Sequence, residues 1–239
     1  MIGWEDAPHL QPPNISQEEL ADLEKGLKPH QRQARRHGRP SIGAGAIYPI
    51  DEDDIFIEPF GIPAHFPRAY AVDIGWKRTA ALFGARDPDT GVYFLTGEYY
   101  ESEKQPIIHA HSIRAMMPWN LNGCIDPSAE NSSIKDGARL RTEYVRLGLR
   151  LKRANNAMEA GLHRVLVLMQ GGQLKVFRTL RHFRTELRLY RRIETKEKVK
   201  IVKQNDHLMD CMRYLLNTTG VFKTRPQQRA ARTPQGDWS

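Results

Sequence analysis

The sequence predicts an α/β fold in which a mixed five-stranded sheet is flanked by helices. Three apolar runs of strand length, 69–75, 79–86 and 92–99, follow one another with short connections, which predicts an antiparallel meander. Longer runs with helical periodicity come next and alternate with short strand-length runs. A strand reached through a helical crossover lies parallel to its partner, so the sheet is expected to be mixed.

The segment before the meander is interrupted by prolines. Residues 47–57 and 60–66 carry aromatic and β-branched side chains, which predicts an edge strand or an extended lead-in, because proline cannot donate to a central ladder. The last two strands of the meander are joined by Asp87-Pro-Asp-Thr-Gly91, a sequence typical of a hairpin turn.

The second half of the chain alternates helices with short strands. Helices are predicted at 105–117, 135–147, 155–169, 179–192 and 206–216, and strands at 121–126, 149–152 and 173–177, of which 149–152 is brief. Asn205 or Asp206 is expected to cap the last helix. The alternation of charged and β-branched residues over 194–203 predicts an exposed hairpin or loop.

The positive charge of the chain is concentrated in one region. The 239 residues carry a formal net charge of +8 and are 40% hydrophobic, enough to bury one sizeable core. From Arg139 to Lys203 there are 18 Lys and Arg against five Glu and no Asp, a net charge of +13. The remainder is therefore net acidic, and the basic region suits a polyanionic partner.

Several classes of protein are excluded by absent patterns. No run approaches the ~18–20 apolar residues of a membrane span, and no Cys/His spacing indicates a zinc site. Cys124 and Cys211 lie in apolar runs, so we expect buried free thiols and a reducing cytoplasm. No Gly-x-x-x-x-Gly-Lys-Ser/Thr phosphate loop is present, so ATP hydrolysis by this chain is not expected.

Three acidic residues end or lie within apolar segments that are far apart in sequence. Asp73 and Asp126 each lie at the end of a predicted strand, whereas Asp210 lies on the last helix, three residues after His207 and on the same helical face. A single Asp at a strand end is usually a turn or cap residue. Three that converge supply the oxygen ligands that hard divalent cations require, which predicts a metal site.

These segments resemble a known family in both composition and order. Val-Asp-Ile-Gly at 72–75, Ile-Asp-Pro-Ser at 125–128 and Asp-His-x-x-Asp-x-x-Arg-Tyr at 206–214 resemble motifs of the C-terminal nuclease domain of the large terminase subunit of tailed phages. Gly97-Glu-Tyr-Tyr100 and Lys135-Asp-Gly137 occur in the same order, so the resemblance covers about residues 40–218. It implies a ribonuclease H-like fold.

The resemblance also implies a function and a set of site residues. Asp73, Asp126 and Asp210 would be catalytic and hold two ions, Mg²⁺ or Mn²⁺, with His207 beside them and its role as a ligand left open. The activity would be metal-dependent endonucleolytic cutting of double-stranded DNA concatemers during phage genome packaging. Implied partners are the small terminase subunit, the portal protein and an ATPase domain of the same polypeptide, in the cytoplasm of the bacterial host and without a membrane.

Two basic segments are candidates for contact with DNA. The helix 179–192 has an apolar stripe, with arginines off the stripe and Glu186 as its one acidic residue, which is typical either of a solvated face or of a row that binds phosphates. The predicted hairpin adds four lysines. The candidate contacts are Arg181, Arg184, Arg188, Lys196, Lys198, Lys200 and Lys203.

Three segments are expected along the chain. Residues 1–45 would be a linker before the nuclease, corresponding to the end of the ATPase domain in the resembled family, with a short helix whose Ser16 and Glu19 form a capping box. Residues 46–220 would form the ribonuclease H-like domain, and 221–239 a disordered basic tail.

Two alternatives remain open from the sequence. One is another ribonuclease H-like nuclease, such as a transposase, an integrase or a junction resolvase. The other is a non-catalytic DNA-binding module of a packaging motor or a prophage remnant. The roles of Asp206 and Glu98 are also open: Glu98 lies near a strand end, where it could be close to the metals or simply exposed.

Overall fold

A seven-stranded mixed sheet forms the centre of the computed structural model, which describes residues 15–25, 45–75, 77–127, 133–194 and 199–226. The strands are β1 (Phe56–Ile57), β2 (Arg68–Ile74), β3 (Thr79–Arg86), β4 (Tyr93–Glu101), β5 (Asn122–Ile125), β6 (Arg150–Arg153) and β7 (Leu174–Phe177), with β8 (Arg192–Glu194) and β9 (Val199–Ile201) as a separate hairpin. The helices are α1 (Gln17–Lys25), α2 (Glu52–Ile55), α3 (Pro106–Ala115), α4 (Ser133–Arg146), α5 (Met158–Gln170), α6 (Arg181–Leu189) and α7 (His207–Asn217).

Strands β2, β3 and β4 form the antiparallel meander that the sequence predicts. Its second connection is the expected turn: the Asp87 carboxylate accepts hydrogen bonds from the Asp89 backbone N–H and the Thr90 hydroxyl. Gly91 has a positive φ of 77°, a conformation that glycine adopts without a steric cost.

The remaining strands of the sheet are parallel to their neighbours, in the order β1-β7-β4-β3-β2-β5-β6. β5 lies against β2 and β6 against β5, while β7 pairs with β4 and β1 with β7. The predicted α/β class with a mixed sheet is confirmed, with seven strands rather than five. Edge strand β6 matches the brief strand predicted at 149–152, and the two-residue edge strand β1 lies within the segment 47–57 that was predicted as an edge strand or an extended lead-in.

Helices cover both faces of the sheet. On one face, Tyr70 and Phe83 pack with Ile113 of α3 and Tyr144 of α4. On the other, residues of β2, β3 and β5 pack against α5, α6 and α7. Both predicted thiols, Cys124 and Cys211, are free and buried in this second layer.

Helix α7 is the most deeply buried helix of the domain, since every residue from Leu208 to Asn217 is buried. It packs across β2 and β3 and against α5 and α6. The expected side-chain cap from Asn205 or Asp206 is wrong: Asp206 occupies the cap position but makes no capping hydrogen bond. Glu186 of α6 supplies it, because its Oε2 accepts from the Leu208 backbone N–H at 2.6 Å.

The chain after α7 returns to the sheet. Val221 is buried, and the Lys223 backbone pairs with Arg68 at the start of β2. The domain therefore extends past the expected boundary at residue 220, and a disordered tail from 221 is wrong for 221–226. Residues 227–239 lie outside the described residues.

The N-terminal segments are described only in part. The capping box is confirmed at α1, where the Glu19 backbone N–H donates to Ser16 Oγ and Ser16 donates in turn to Glu19 Oε2. Most of the predicted linker, 1–14 and 26–44, lies outside the described residues, as do Lys196 and Lys198. Within the part of the chain that is described, no helix has the length and apolar character needed to cross a membrane.

Gly123 permits a close approach between β5 and the ring of Tyr70, its partner across the ladder. A Cβ at Gly123 would lie 2.4 Å from Tyr70 Cζ and 2.6 Å from Cε1. We predict that Gly123→Ala lowers the free energy of unfolding by about 1–3 kcal/mol, because the buried ring must shift. Urea denaturation of the two proteins measures this.

The matched control is Gly61→Ala, whose Cβ would meet no atom within 4 Å. Its stability should stay within about 0.5 kcal/mol of the parent. Equal losses in both variants would show that the packing at Tyr70 is not what Gly123 protects.

Candidate functional site

Asp73 and Asp126 lie side by side at the carboxyl ends of two neighbouring parallel strands. The last paired residues of β2 and β5 are Val72 and Ile125, and each aspartate is one residue further on. Alternate residues of a strand lie on the same face of the sheet. Asp73 and Asp126 therefore lie on the same face as the buried residues of β2 and β5 that pack against α7. The third acid, Asp210, is buried on the first turn of α7. All three predicted aspartates therefore meet at one end of the sheet.

Asp73 is bound to the predicted histidine. His207 Nδ1 lies 2.7 Å from Asp73 Oδ2. Burial raises the pKa of Asp73, and the negative charges of Asp210 and Asp126 raise it further, while His207 acts in the opposite direction. The hydrogen bond to Asp73 raises the pKa of His207. The three carboxylates are thus close enough to repel one another electrostatically.

Asp126 receives two uncharged donors. The Tyr214 hydroxyl, on α7, donates to Asp126 Oδ2 at 2.6 Å, and Asn156 Nδ2 donates to Oδ1 at 3.2 Å. Tyr214 is buried, and burial raises its pKa well above the ordinary value, so the hydroxyl keeps its proton and acts as a donor.

Asp210 is held between two cations. Arg213, one turn along α7, donates to Asp210 Oδ1 at 2.9 Å, and Lys203 Nζ donates to Oδ2 at 3.2 Å. The same ammonium group lies 3.1 Å from Asp206 Oδ2. Burial acts to lower the pKa of Lys203, but the carboxylates of Asp210 and Asp206 outweigh it, and the pKa lies above its ordinary value.

The donor set suits a hard divalent cation, although its oxygen atoms are turned towards protein donors. Among the described residues, no three His, Cys, Asp or Glu side chains already have an arrangement that could hold a metal ion. The three coupled aspartates nevertheless offer oxygen ligands and an excess of negative charge, which is what Mg²⁺ and Mn²⁺ require. Lys203 is the cation that such an ion would replace at Asp210, and its side chain is 54% exposed.

The motif residues belong to a recognisable family. The family model described as the terminase RNaseH-like domain matches residues 71–219, a range that contains Asp73, Asp126 and Asp210. The chain belongs to the terminase RNaseH-like domain family. The predicted resemblance to large terminase subunits and the predicted fold are thereby confirmed.

Two curated relatives are large subunits of terminases. The chain is 31% identical over 198 residues to those of Enterobacteria phage LP7 and Salmonella phage P22, with 77% of this chain covered in each case. The match covers 40% and 38% of the respective relatives, so the chain spans about two fifths of their length.

Solved structures show the same fold. The P22 large terminase nuclease domain matches with a TM-score of 0.67 and 29% identity, covering 76% of this chain and 96% of that one. The large terminase nuclease of the thermophilic phage G20c, solved with bound magnesium, matches with a TM-score of 0.53 and 13% identity, covering 72% and 96%. At 13% identity, the similarity to the G20c nuclease concerns the fold alone.

This RNaseH-like domain contains a buried glutamate that sequence analysis did not place in the site. Glu186 is 2% exposed, and its Oε1 accepts from the Tyr100 hydroxyl at 2.7 Å while Oε2 accepts from the Leu208 N–H. Burial raises the pKa of Glu186. A sequence signal was available, since Glu186 lies three residues after the stripe residue Phe183 and therefore on the buried side of α6.

Glu98 has a structural role that the sequence left open. Its two carboxylate oxygens accept hydrogen bonds from the backbone N–H groups of His182 and Phe183, at 2.9 and 2.8 Å. The side chain therefore caps the start of α6, where unpaired N–H groups and the helix dipole favour a negative charge. The carboxylate is therefore not simply exposed to solvent.

The arginine row on α6 is partly neutralised by an acidic residue from a distant part of the chain. Arg188 binds both carboxylate oxygens of Glu52 on α2, and Arg184 lies 3.6 Å from the same carboxylate. Arg181 and, on the hairpin, Lys200 are exposed. Of the candidate DNA contacts that are described, Lys203 is the one the structure brings to the aspartates.

We predict that Glu186→Ala lowers the free energy of unfolding by about 2–4 kcal/mol. The change leaves the Tyr100 hydroxyl and the first turn of α7 without an acceptor, and a buried polar group left unpaired costs about 1–3 kcal/mol. The surface residue Glu159, which pairs with Arg192, provides the control. Glu159→Ala should cost at most about 1 kcal/mol. Equal denaturation midpoints for the two variants would contradict the role assigned to Glu186.

Proposed function

We propose that this chain is the nuclease domain of a large terminase subunit and that it hydrolyses phosphodiester bonds of double-stranded DNA. In this proposal Asp73, Asp126 and Asp210 hold two divalent ions, Mg²⁺ or Mn²⁺. The observation that carries it is the convergence of the three aspartates at the ends of β2 and β5 and on α7, in a chain of the terminase RNaseH-like family.

The coupling of the carboxylates supports cation binding. Burial raises the pKa of Asp73, and the negative charges of Asp210 and Asp126 raise it further; a divalent ion beside these groups would relieve that repulsion. When bound, such ions lower the pKa of an attacking water and stabilise charge on the leaving oxygen of a phosphodiester. The magnesium in the G20c nuclease is consistent with this choice of ion.

The neighbouring side chains have separate proposed roles. His207 holds Asp73 Oδ2 and so fixes the orientation of that carboxylate; direct ligation by its other ring nitrogen is the alternative role for this histidine. Lys203, half exposed, would leave Asp210 when a cation binds and become available to a phosphate of the substrate. No covalent nucleophile is required for this chemistry.

Arg78 is a further candidate for contact with the DNA backbone. It lies in the β2–β3 connection, next to Thr79, which pairs with Ile74 one residue beyond Asp73. Its guanidinium stacks on the ring of Tyr100 at 4.4 Å. Within the described ranges it forms no ion pair, which distinguishes it from Arg188. Arg181, Lys200 and Lys203 remain candidates, whereas Glu52 weakens the case for Arg184 and Arg188.

The wider role follows from the family. In this proposal the DNA is a concatemer cut during phage genome packaging in the bacterial host cytoplasm. The small terminase subunit, the portal protein and an ATPase domain of the same polypeptide would be the partners. The chain spans about two fifths of its curated relatives, so site choice and timing of the cut would depend on parts beyond this domain.

The proposal predicts that cutting requires both metal and Asp210. Plasmid cleavage should occur with Mg²⁺ or Mn²⁺, stop with EDTA, and fall to background in Asp73→Asn and Asp210→Asn, because each loses a charged oxygen ligand. Asp89→Asn, in the exposed turn at the far end of the meander, should cut like the parent.

The result decides between the open alternatives. DNA binding at low salt without cutting, in the presence of both metals, would favour the non-catalytic module. Normal cutting by Asp210→Asn would overturn the metal site as described.

The DNA contact is tested by the salt dependence of binding. We predict that Arg78→Ala reduces the slope of log affinity against log salt by about 0.9, the value for one lost phosphate contact on duplex DNA. Arg188→Ala should leave the slope unchanged, because Glu52 already pairs with that arginine. Fluorescence anisotropy with a duplex in EDTA measures both. A reduced slope in Arg188→Ala together with an unchanged slope in Arg78→Ala would instead place the DNA on the arginine row of α6.

A further inference from the structure

A chain of hydrogen bonds links two of the three aspartates through residues outside the acidic set. Asn156, in the loop between β6 and α5, donates from Nδ2 to Asp126 Oδ1 at 3.2 Å. Its Oδ1 accepts from Arg213 Nη1 at 3.1 Å, and Arg213 Nη2 donates to Asp210 Oδ1 at 2.9 Å. Asp126 and Asp210, which come from a strand end and a helix, are thereby tied to each other.

The chemistry of the four groups determines which group donates and which accepts in each of these hydrogen bonds. Arginine can only donate hydrogen bonds, and an ionised carboxylate can only accept them. Asn156 lies between the two and must accept on one side and donate on the other, which an amide does and a carboxylate does not. The orientation of its amide is therefore determined by its neighbours.

Arg213 is buried to an extent that packing alone does not explain. It is 1% exposed, its Nε has no hydrogen-bond partner, and its ion pair is with Asp210. A buried ion pair is often no more stabilising than apolar residues of similar volume, so stability alone does not require an arginine at this position.

The neighbouring helix makes room for this arginine. A Cβ at Gly161 on α5 would lie 2.9 Å from Arg213 Cγ, and Asn217 Nδ2 donates to the Arg213 carbonyl at 2.7 Å. The stem of Arg213 is thus held in place along its length, from its backbone to its guanidinium.

The contacts also distinguish fixed oxygens from an exchangeable one. Arg213 holds one carboxylate oxygen of Asp210, and Asn156 holds one carboxylate oxygen of Asp126. The second oxygen of Asp210 contacts Lys203, whose side chain is 54% exposed, whereas that of Arg213 is 1% exposed. A cation that replaces Lys203 therefore meets Asp210 Oδ2 in an orientation that Arg213 has already set.

We propose that Asn156 and Arg213 are positioning residues, which hold the carboxylates of Asp126 and Asp210 in the orientation that binds divalent cations. This inference rests on the proposed function and extends it to residues that do not themselves touch the metal. Groups that orient metal ligands in this way typically contribute 10- to 100-fold to metal affinity.

The deciding experiment is Mn²⁺ binding by isothermal titration calorimetry, in the absence of DNA, to the whole chain and its variants. Asn156 is exposed, so Asn156→Ala is expected to fold. Its Mn²⁺ dissociation constant should rise 10- to 100-fold, and plasmid cleavage should recover as Mn²⁺ is raised. Asn156→Asp, which places a fourth carboxylate against Asp126, should not restore the parent's dissociation constant.

The adjacent Asn155 provides a matched control. Its side chain accepts a local hydrogen bond from the Ala157 backbone N–H, and within the described residues it donates none to the three aspartates. Asn155→Ala should therefore bind Mn²⁺ like the parent. Arg213→Lys, which keeps the charge but loses the two-pronged contact, should weaken binding in the same direction as Asn156→Ala.

The possible failures are distinguishable. Parent-like Mn²⁺ affinity in Asn156→Ala overturns this inference and leaves the proposed nuclease intact. A parent chain that neither binds Mn²⁺ nor cuts DNA overturns both. An equal loss of affinity in Asn155→Ala and Asn156→Ala shows that the loop, rather than the amide of Asn156, supports the site, and also overturns the inference.

Discussion

The gathering of three carboxylates at one end of the sheet is the constraint around which this domain is arranged. Asp210 is buried, and Asp73 and Asp126 are partly buried, so each carboxylate needs hydrogen-bond or charge partners from the protein. The fold supplies a donor for each: His207 for the first, Tyr214 and Asn156 for the second, and Arg213 with Lys203 for the third. Of the two cations at Asp210, Lys203 is 54% exposed and Arg213 is 1% exposed, so Lys203 is the one that can leave with less rearrangement.

Helix α7 brings most of these groups together and is also central to the core. It carries four site residues that are adjacent or three to four positions apart: His207, Asp210, Arg213 and Tyr214. This one helix therefore supplies an acid, the cation that pairs with it, and hydrogen-bond donors for the two other acids. The same helix buries Leu208, Met209 and Leu215 against the sheet. The stability of the core and the geometry of the site are therefore coupled, and Glu186 extends the coupling to α6 through the start of α7.

The distribution of charge in the fold differs from its distribution along the sequence. The basic region between 139 and 203 is real, but acidic residues from the net acidic remainder of the chain pair with part of it. Glu52 covers the middle of α6, and Asp53 and Glu58 contact Arg178. These ion pairs neutralise part of the basic region, so the number of basic residues in the sequence overstates the positive charge that is left unpaired.

The sequence by itself determined the features that depend on local pattern. Apolar runs of strand length predicted the strands of the meander, and helical periodicity and turn residues predicted the main helices and the Asp87–Gly91 turn. The three aspartates were also predictable, because each stands at a strand end or on a helix face that a short segment defines. The edge strand β1 has only two residues, too few for a period to appear.

Only the tertiary structure decided the pairings that give these residues their environment. Asn156 meets Asp126 across 30 positions, and Glu52 meets Arg188 across 136. Glu186 and Glu98 proved to be caps of helices that are remote in sequence. No periodicity encodes such contacts, since they depend on how complete elements pack, whereas the placement of an acid at the end of an apolar strand is a property of the strand itself.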